Sequence, residues 1–107
     1  MTMSDDIVIY NIPYSEFTDI LIKQSKGLKV DNALFMSRYQ TRYFSIDNEK
    51  GQFLCEDFSS KDKALCWLLR KDYSADEIKK MPNINARKLI KDINHQIIGE
   101  EKEYGLS

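Results

Sequence analysis

Apolar and polar positions in the first part of the chain predict a strand followed by a helix. Residues 6–12 read D-I-V-I-Y-N-I, a β-branched and aromatic run that is typical of a short strand, and Pro13 ends it. Between residues 16 and 26 apolar positions recur at helical spacing, with Ser15 suited to the N-cap and Gly27 to the C-terminal end. The side chains predicted to face the core from this helix are Phe17, Ile20 and Leu21.

Residues 41–58 have the clearest pattern, which is that of a β-hairpin. The segment before them, 28–40, is predicted to form a loop or one helical turn that leads into a strand. In the hairpin, alternating Y-F-S-I precedes the turn-forming D-N-E-K-G, in which Gly51 can adopt a positive φ, and Q-F-L-C-E resumes the strand. The expected register pairs Asp47 with Gln52 and Arg42 with Asp57, and its apolar face consists of Phe44, Ile46, Phe53 and Cys55.

Three helices are predicted after the hairpin. The first begins with a capping box in which Ser59 is the N-cap and Asp62 is at N3, and Trp67 lies at the edge of its apolar stripe. The second, over 75–81, has a capping box of its own, and a proline turn joins it to the third, over 85–98. The core side of the third helix is predicted to consist of Ala86, Leu89, Ile90, Ile93 and Ile97.

These elements together predict an α+β fold. We expect a small antiparallel sheet, made of the N-terminal strand and the 41–58 hairpin, with helices packed on one face and a C-terminal helical hairpin. The 107 residues suit one domain over 1–99, followed by a charged tail over 100–107. Because 1–12 has no signal-peptide pattern and no apolar run reaches the length of a membrane span, we expect a cytoplasmic protein with free thiols and no membrane partner.

Charge narrows the class of partner. The formal net charge of −1 excludes a highly basic nucleic-acid binder and a strongly acidic nucleic-acid mimic. The distribution is uneven, however, since residues 61–91 carry nine basic and four acidic groups, a net of +5. This stretch predicts one positive face on an otherwise near-neutral protein.

Residues suited to catalysis or metal binding are few and scattered. His95, the single histidine, is predicted on the polar flank of the last helix, and Cys55 and Cys66 lie on different elements without zinc-ligand spacing. No nucleophile elbow, zinc-protease motif or phosphate-binding glycine loop is present in the sequence. We therefore expect no enzyme activity, no metal and no small-molecule cofactor, with Cys55 as a small apolar core residue.

The stretch from Tyr43 to Leu69 has a recognisable outline. It combines an aromatic-rich strand, a D-N-x-x-G turn, a strand ending in acidic-x-Phe, and a helix with Ala and Trp-Leu. This outline resembles a hairpin–helix cassette in small, mostly uncharacterised phage and mobile-element proteins of low-GC Gram-positive bacteria. The resemblance implies a structural scaffold and, as a class, a protein that binds and blocks host machinery in the manner of anti-CRISPR proteins; it assigns no functional residue.

A protein-binding surface is the first candidate site. Basic and aromatic residues alternate along R-Y-Q-T-R-Y-F at the start of the hairpin, and Tyr and Arg are enriched at interface hot spots. We expect the side chains concerned to be exposed together on the sheet face opposite Phe44 and Ile46, which helices leave uncovered. The candidate partner-binding residues are Arg38, Tyr39, Tyr43 and Leu54.

A helix–turn–helix is the second candidate site. Helices over 75–81 and 85–98 would present Asn and Arg to base edges and Lys to phosphates. The residues concerned are Lys79, Lys80, Asn83, Asn85, Arg87, Lys88 and Lys91. The sequence leaves two functions open: a non-enzymatic inhibitor or adaptor that blocks a host nucleic-acid enzyme, and a nucleic-acid-binding regulator that acts through residues 79–91.

Overall fold

The computed structural model describes residues 6–99, which form a mixed five-stranded sheet and four helices. In chain order the elements are β1 (Ile7–Asn11), α1 (Tyr14–Ser25), β2 (Leu34–Tyr39), β3 (Arg42–Asp47), β4 (Leu54–Phe58), α2 (Lys61–Leu69), α3 (Ala75–Lys80), α4 (Asn83–Ile90) and β5 (His95–Ile98). The strand order is β4-β3-β2-β1-β5. The predicted α+β class is confirmed, and the predicted tail over 100–107 lies outside the described residues.

The sheet is larger than predicted and is not purely antiparallel. β1 is parallel to both of its neighbours, β2 and β5, whereas β2, β3 and β4 form an antiparallel meander. The apolar run at 34–36, which the sequence pattern left undecided, belongs to β2, and this strand pairs with the N-terminal strand on one side and with the predicted hairpin on the other. None of the helices within residues 6–99 is long and apolar enough to cross a membrane.

Helices cover both faces of the sheet, so the expectation of helices on one face is wrong. On one face α2, α3 and α4 enclose the larger core, which we call the α2-side core. On the other face α1 encloses a smaller core, the α1-side core, built around Phe17, Val30, Phe35 and Ile46. The α2-side core consists of Ile9, Leu34, Met36, Phe58, Ala64, Leu65, Cys66, Leu68, Leu69, Ile78, Ala86 and Ile90.

The first helix begins one residue earlier than its predicted cap. Pro13 is the N-cap of α1, and no side chain caps this end, so Ser15 does not take the predicted role. At the other end the backbone N–H of Gly27 donates to Gln24 and that of Leu28 donates to Lys23, which closes the helix as predicted. Gly27 has a φ of 73°, the left-handed conformation that this ending requires.

The β3–β4 register differs from the predicted one by two residues, because Asp47 pairs with Leu54 and not with Gln52. A shift of two keeps every side chain on its face, so Phe44 and Ile46 lie toward the α1-side core as predicted. Phe53 moves out of the strand into the loop, where it has a positive φ of 50°.

Asn48 provides the physical reason for this longer loop. Its buried side-chain amide donates to the carbonyl oxygens of Val30 and Asp31 at 3.2 and 2.9 Å, and its Oδ1 accepts from the backbone N–H of Phe53 at 3.0 Å. The loop is thereby tied to the segment that enters β2. A tight turn at 48–51 would leave these buried polar groups without partners.

The C-terminal region departs most from the prediction. Ser60, not Ser59, caps α2 by accepting from the backbone N–H of Lys63, whereas the predicted capping box at Ser74 is present. The predicted helix over 85–98 ends at Ile90, and β5 pairs with β1 instead. The spacing of apolar residues fits either structure, and β5 gains the hydrogen bonds of the edge of β1, so the tertiary pairing decides.

Candidate protein-binding surface

A two-residue turn, Gln40-Thr41, joins β2 to β3 and brings Tyr39 opposite Arg42. We call residues 38–43 the hairpin tip. Gln40 has a φ of 56°, a conformation that glycine usually occupies and that costs other residues about 1–2 kcal/mol. The tip therefore holds a strained non-glycine residue at an exposed position, and such strain is concentrated at functional sites.

Tyr39 is exposed and yet held in place. Its ring is stacked on that of Tyr14 with centroids 4.4 Å apart and an interplanar angle of 23°, while the residue remains 47% exposed. Tyr14 in turn packs at 5.4 Å from Phe44, at the edge of the α1-side core. Tyr39 is thus a rigid aromatic side chain supported from the first turn of α1.

The arginines of the hairpin tip are also fixed by neighbours. The guanidinium of Arg38 lies 5.7 Å from the ring centroid of Tyr43, and its Nε donates to the carbonyl oxygen of Gln40 at 3.1 Å. Arg42 donates to one carboxylate oxygen of Asp57 from Nη2 at 2.6 Å and from Nε at 3.0 Å. The pair expected from the sequence is therefore formed, although Asp57 lies opposite Phe44 in the register.

The four predicted partner-binding residues do not share one surface. Tyr43 packs against the α2-side core, whereas Tyr39 lies with Tyr14 on the other face. The predicted common face is wrong because the turn at 40–41 reverses the chain between the two tyrosines, so alternation does not continue from one to the other. Leu54 is 48% exposed but pairs with Asp47, at the end of β3 remote from the tip.

Three of the seven predicted nucleic-acid-binding residues are engaged by neighbouring elements. The ammonium of Lys79 lies 2.9 Å from a carboxylate oxygen of Glu56, and this hydrogen bond raises the pKa of Lys79. Asn83 accepts a hydrogen bond from the hydroxyl of Ser60 at 2.8 Å. Arg87 donates to Asp62 at 3.1 Å, which is the role that Asp62 takes in place of the predicted capping.

The other four side chains, Lys80, Asn85, Lys88 and Lys91, are exposed. Within residues 6–99, no carboxylate lies at salt-bridge distance from any of these three lysines. α4 packs mainly against α2 and has little contact with α3. The two helices are therefore not packed on each other as the helices of a helix–turn–helix are.

The groups with possible chemical reactivity lie apart. Cys66 is buried in α2, whereas Cys55 is exposed on β4, so the expectation of a core position for Cys55 is wrong. His95 lies on β5 and not on a helix flank, with its Nδ1 2.8 Å from the carbonyl oxygen of Ile93. In the part of the chain that the structure describes, no three His, Cys, Asp or Glu side chains cluster as metal ligands would.

Sequence reasoning did not identify Tyr14 as part of the surface. Its partner Tyr39 is far away along the chain, and a tyrosine that follows a proline is also typical of the start of an ordinary helix. Comparisons of the chain with family models, with curated proteins and with solved structures found no match.

Proposed function

We propose that this protein is not an enzyme and acts by binding a protein partner through the hairpin tip, as an inhibitor or an adaptor. The observation that supports this function is the stack of Tyr39 on Tyr14, in which Tyr39 remains 47% exposed. An aromatic side chain that is already fixed loses little conformational entropy on binding and buries a large apolar area. Tyrosine and arginine are both enriched at interface hot spots.

The class of target follows from the resemblance of residues 43–69 to cassettes in phage and mobile-element proteins. On that ground we propose that the partner is a host nucleic-acid enzyme, blocked in anti-CRISPR fashion. This part of the proposal is independent of the geometry of the tip. If the captured partner is not a nucleic-acid enzyme, the proposed class of target is wrong, whereas the proposed protein-binding function still holds.

Affinity capture from a host lysate tests the binding function. Wild-type protein should retain one partner at a stoichiometric amount, and Tyr39→Ala should weaken its capture at least tenfold, which corresponds to about 1.4 kcal/mol. Leu54→Ala is the matched control, since Leu54 is as exposed as Tyr39 but lies at the other end of the sheet. Absence of a stoichiometric partner, or equal loss in both variants, would contradict the proposal.

Nucleic-acid binding through α4 is the second candidate, and the observation that favours it is the set of exposed lysines at 80, 88 and 91. Phosphate contacts by these lysines would make affinity fall steeply with salt. If wild-type protein binds DNA in an electrophoretic mobility-shift assay at low salt, charge reversal of Lys88 and Lys91 to Glu should abolish that binding. If wild-type protein does not bind DNA at low salt, nucleic-acid binding is ruled out.

A further inference from the structure

The sheet has two edge strands, β4 and β5, because the strand order is β4-β3-β2-β1-β5. An edge strand presents backbone N–H and C=O groups that its own sheet leaves unpaired, and another extended chain is what satisfies a row of them. The chemistry of a sheet edge therefore selects a strand as its occupant. β5 contains none of the hairpin-tip residues, so a strand bound there goes beyond the proposed function.

β4 is protected against pairing with a second copy of itself. Glu56 and Asp57 are consecutive, so a carboxylate lies on each face of this edge, and two antiparallel β4 strands would bring like charges together. The two carboxylates are also engaged within the chain, Glu56 with Lys79 and Asp57 with Arg42. Charged side chains on an edge are a common defence against edge-to-edge association.

β5 has no such protection. Residues 93–99 contain no Asp, Glu, Lys or Arg, and Ile98 is 47% exposed. Ile98 lies beside Tyr10 of β1, which is 39% exposed, and the contact of Tyr10 with Phe35 places both on the α1 face of the sheet. Because α1 packs mainly on β2, it leaves this part of the sheet open. The β5 edge is thus uncharged and continuous with exposed apolar surface, which is the type of edge that pairs with another strand.

The hydrogen bonding of β5 to β1 shows which of its backbone groups are free. The backbone N–H of Ile7 donates to the carbonyl oxygen of Asn94 at 3.2 Å. Alternate residues of a strand direct their backbone groups to the same neighbour, so Asn94 and Gln96 face β1. His95 and Ile97 face outward, and within residues 6–99 no further strand lies beyond them. The outer edge therefore offers a donor and an acceptor from each of these two residues.

We infer that β5 pairs antiparallel with β5 of a second copy, which forms a symmetric dimer with one continuous sheet. Pairing His95 with Ile97 of the second copy, and Ile97 with its His95, gives every outward donor an outward acceptor. This register places Gln96 opposite Gln96 of the second copy, on the two-fold axis. The two side-chain amides can hydrogen-bond to each other, since each contains donors and an acceptor.

A second copy suits this edge because the resulting assembly is closed. The symmetric pairing buries both uncharged β5 edges and leaves only the two β4 edges, which Glu56 and Asp57 protect, at the ends of the sheet. Pairing of β5 with β4 of another copy would instead leave a free edge on each added copy, and the chain of copies would not close. It would also place an uncharged strand against the carboxylates of β4.

The dimer sets the direction of the two hairpin tips. β1 is parallel to β2 and to β5, so Tyr39 at the end of β2 lies toward the same end of the sheet as Ile98 at the end of β5. Antiparallel pairing of two β5 strands reverses this direction in the second copy, and the tips point to opposite ends. This consequence rests on the proposed function of the tip, whereas the dimer itself does not. Through it, one dimer would hold two partner molecules apart from each other.

Sedimentation velocity of the full chain over a dilution series tests the inference. We expect a wild-type dimer that dissociates on dilution. Gln96→Glu and Gln96→Lys each place like charges on the two-fold axis, so each variant alone should raise the dissociation constant of the dimer by about tenfold or more. An equimolar mixture of the two variants should restore a dimer, because Glu then lies opposite Lys. Gln24→Glu is the matched control, since Gln24 is an exposed glutamine of α1.

A backbone variant tests the register independently of charge. His95→Pro removes an outward N–H and keeps the groups that bond to β1, and edge strands tolerate proline at such positions. It should weaken the dimer and remain folded in thermal unfolding followed by circular dichroism. A wild-type monomer at all concentrations, as when another segment or protein occupies the edge, would overturn the inference. So would a mixture of Gln96 variants that stays monomeric, or species larger than a dimer. Tyr39→Ala should dimerise like the wild type, so failure here is distinct from failure of the hairpin-tip proposal.

Discussion

At the scale of single residues, Ser37 is an anomaly of the core. It is fully buried on β2 between Phe35 and Tyr39, and its hydroxyl has no hydrogen-bond partner within residues 6–99. Burial of an unpaired hydroxyl costs about 1–3 kcal/mol. Ser45 on the neighbouring strand β3 is equally buried, but its hydroxyl donates to the carbonyl oxygen of Ala64 at 3.3 Å.

We therefore expect Ser37→Ala to leave the free energy of unfolding unchanged or to raise it, because the substitution removes a group that gains nothing on folding. Ser45→Ala is the matched control and should lower it by about 0.5–1.5 kcal/mol, the net contribution of one hydrogen bond. Urea unfolding of the two variants measures both values. A larger loss in Ser37→Ala than in Ser45→Ala would show that the Ser37 hydroxyl has a partner in solution.

The two thiols should also differ in reactivity. Burial raises the pKa of the Cys66 thiol. Cys55 is exposed as a residue, but neighbouring atoms partly desolvate its thiol, which raises the pKa, and the carboxylates of Glu56 and Asp57 raise it further. A thiol with a raised pKa carries less thiolate at a given pH, so Cys55 should react more slowly than a cysteine in the unfolded chain. Buried Cys66 should react only after unfolding.

Labelling with iodoacetamide as a function of pH tests this. The rate for native protein should reach its midpoint at a higher pH than that of the urea-unfolded chain, and Cys55→Ser should remove native labelling. Fast labelling of native protein near neutral pH would contradict the raised pKa of Cys55.

At the scale of elements, α2 supports the structures around it. Lys63 of α2 and its C-cap residue Arg70 donate to backbone carbonyls at the ends of α3 and α4, and Asp62 accepts from Arg87. The sequence predicted its apolar stripe correctly, since this depends on spacing within the helix. The polar anchors were not predictable, because each joins residues that are far apart along the chain.

The strand β5 was not predicted for the same reason, because it depends on a contact between distant parts of the chain. Residues 95–98 continue a helical spacing of apolar positions, and only the free edge of β1 makes the extended conformation favourable. A substitution at Gly99 can test this pairing. Gly99 has a φ of 102°, and an added Cβ would lie 2.2 Å from the carbonyl oxygen of Asn11. A helix through this region would place no such restriction on residue 99.

Gly99→Ala should consequently lower stability more than an ordinary glycine substitution does. Gly51→Ala is the control, because Gly51 also has a positive φ, 77°, but has no atom within 4 Å of an added Cβ. We expect about 1–2 kcal/mol for the control, the cost of the left-handed conformation, and a clearly larger loss for Gly99→Ala. Equal losses in thermal or urea unfolding would argue against a β5 docked beside β1.

At the scale of the whole molecule, the sequence predicted the class of fold but not its layering. The hairpin, Trp67 and the faces of Phe44 and Ile46 were predictable because alternation and turn chemistry are local signals. The position of α1 on the opposite face from α2 was not, since it depends on the parallel connection from β1 to β2. The connection contains α1, whose first residue, Tyr14, is stacked on Tyr39 of the hairpin tip.

Two cores separated by a sheet raise the question of whether the molecule unfolds as one unit. Trp67, the single tryptophan, lies on the α2 side with its ring 6.0 Å from that of Phe58, so its fluorescence reports on that side alone. Phe17 is fully buried on the α1 side. Small single domains unfold cooperatively, so loss of packing on one face of the sheet should also lower the stability of the other face.

We expect Phe17→Ala to lower stability by about 3–5 kcal/mol and to shift the unfolding midpoint of Trp67 fluorescence as much as that of far-ultraviolet circular dichroism. Ile22→Ala is the control, because Ile22 lies on the same helix but is 49% exposed, and both midpoints should stay nearly unchanged. If Phe17→Ala shifts circular dichroism and leaves the fluorescence midpoint in place, the two layers unfold separately. The hairpin tip, which α1 supports, would then open while α2, α3 and α4 keep their packing on the other face of the sheet.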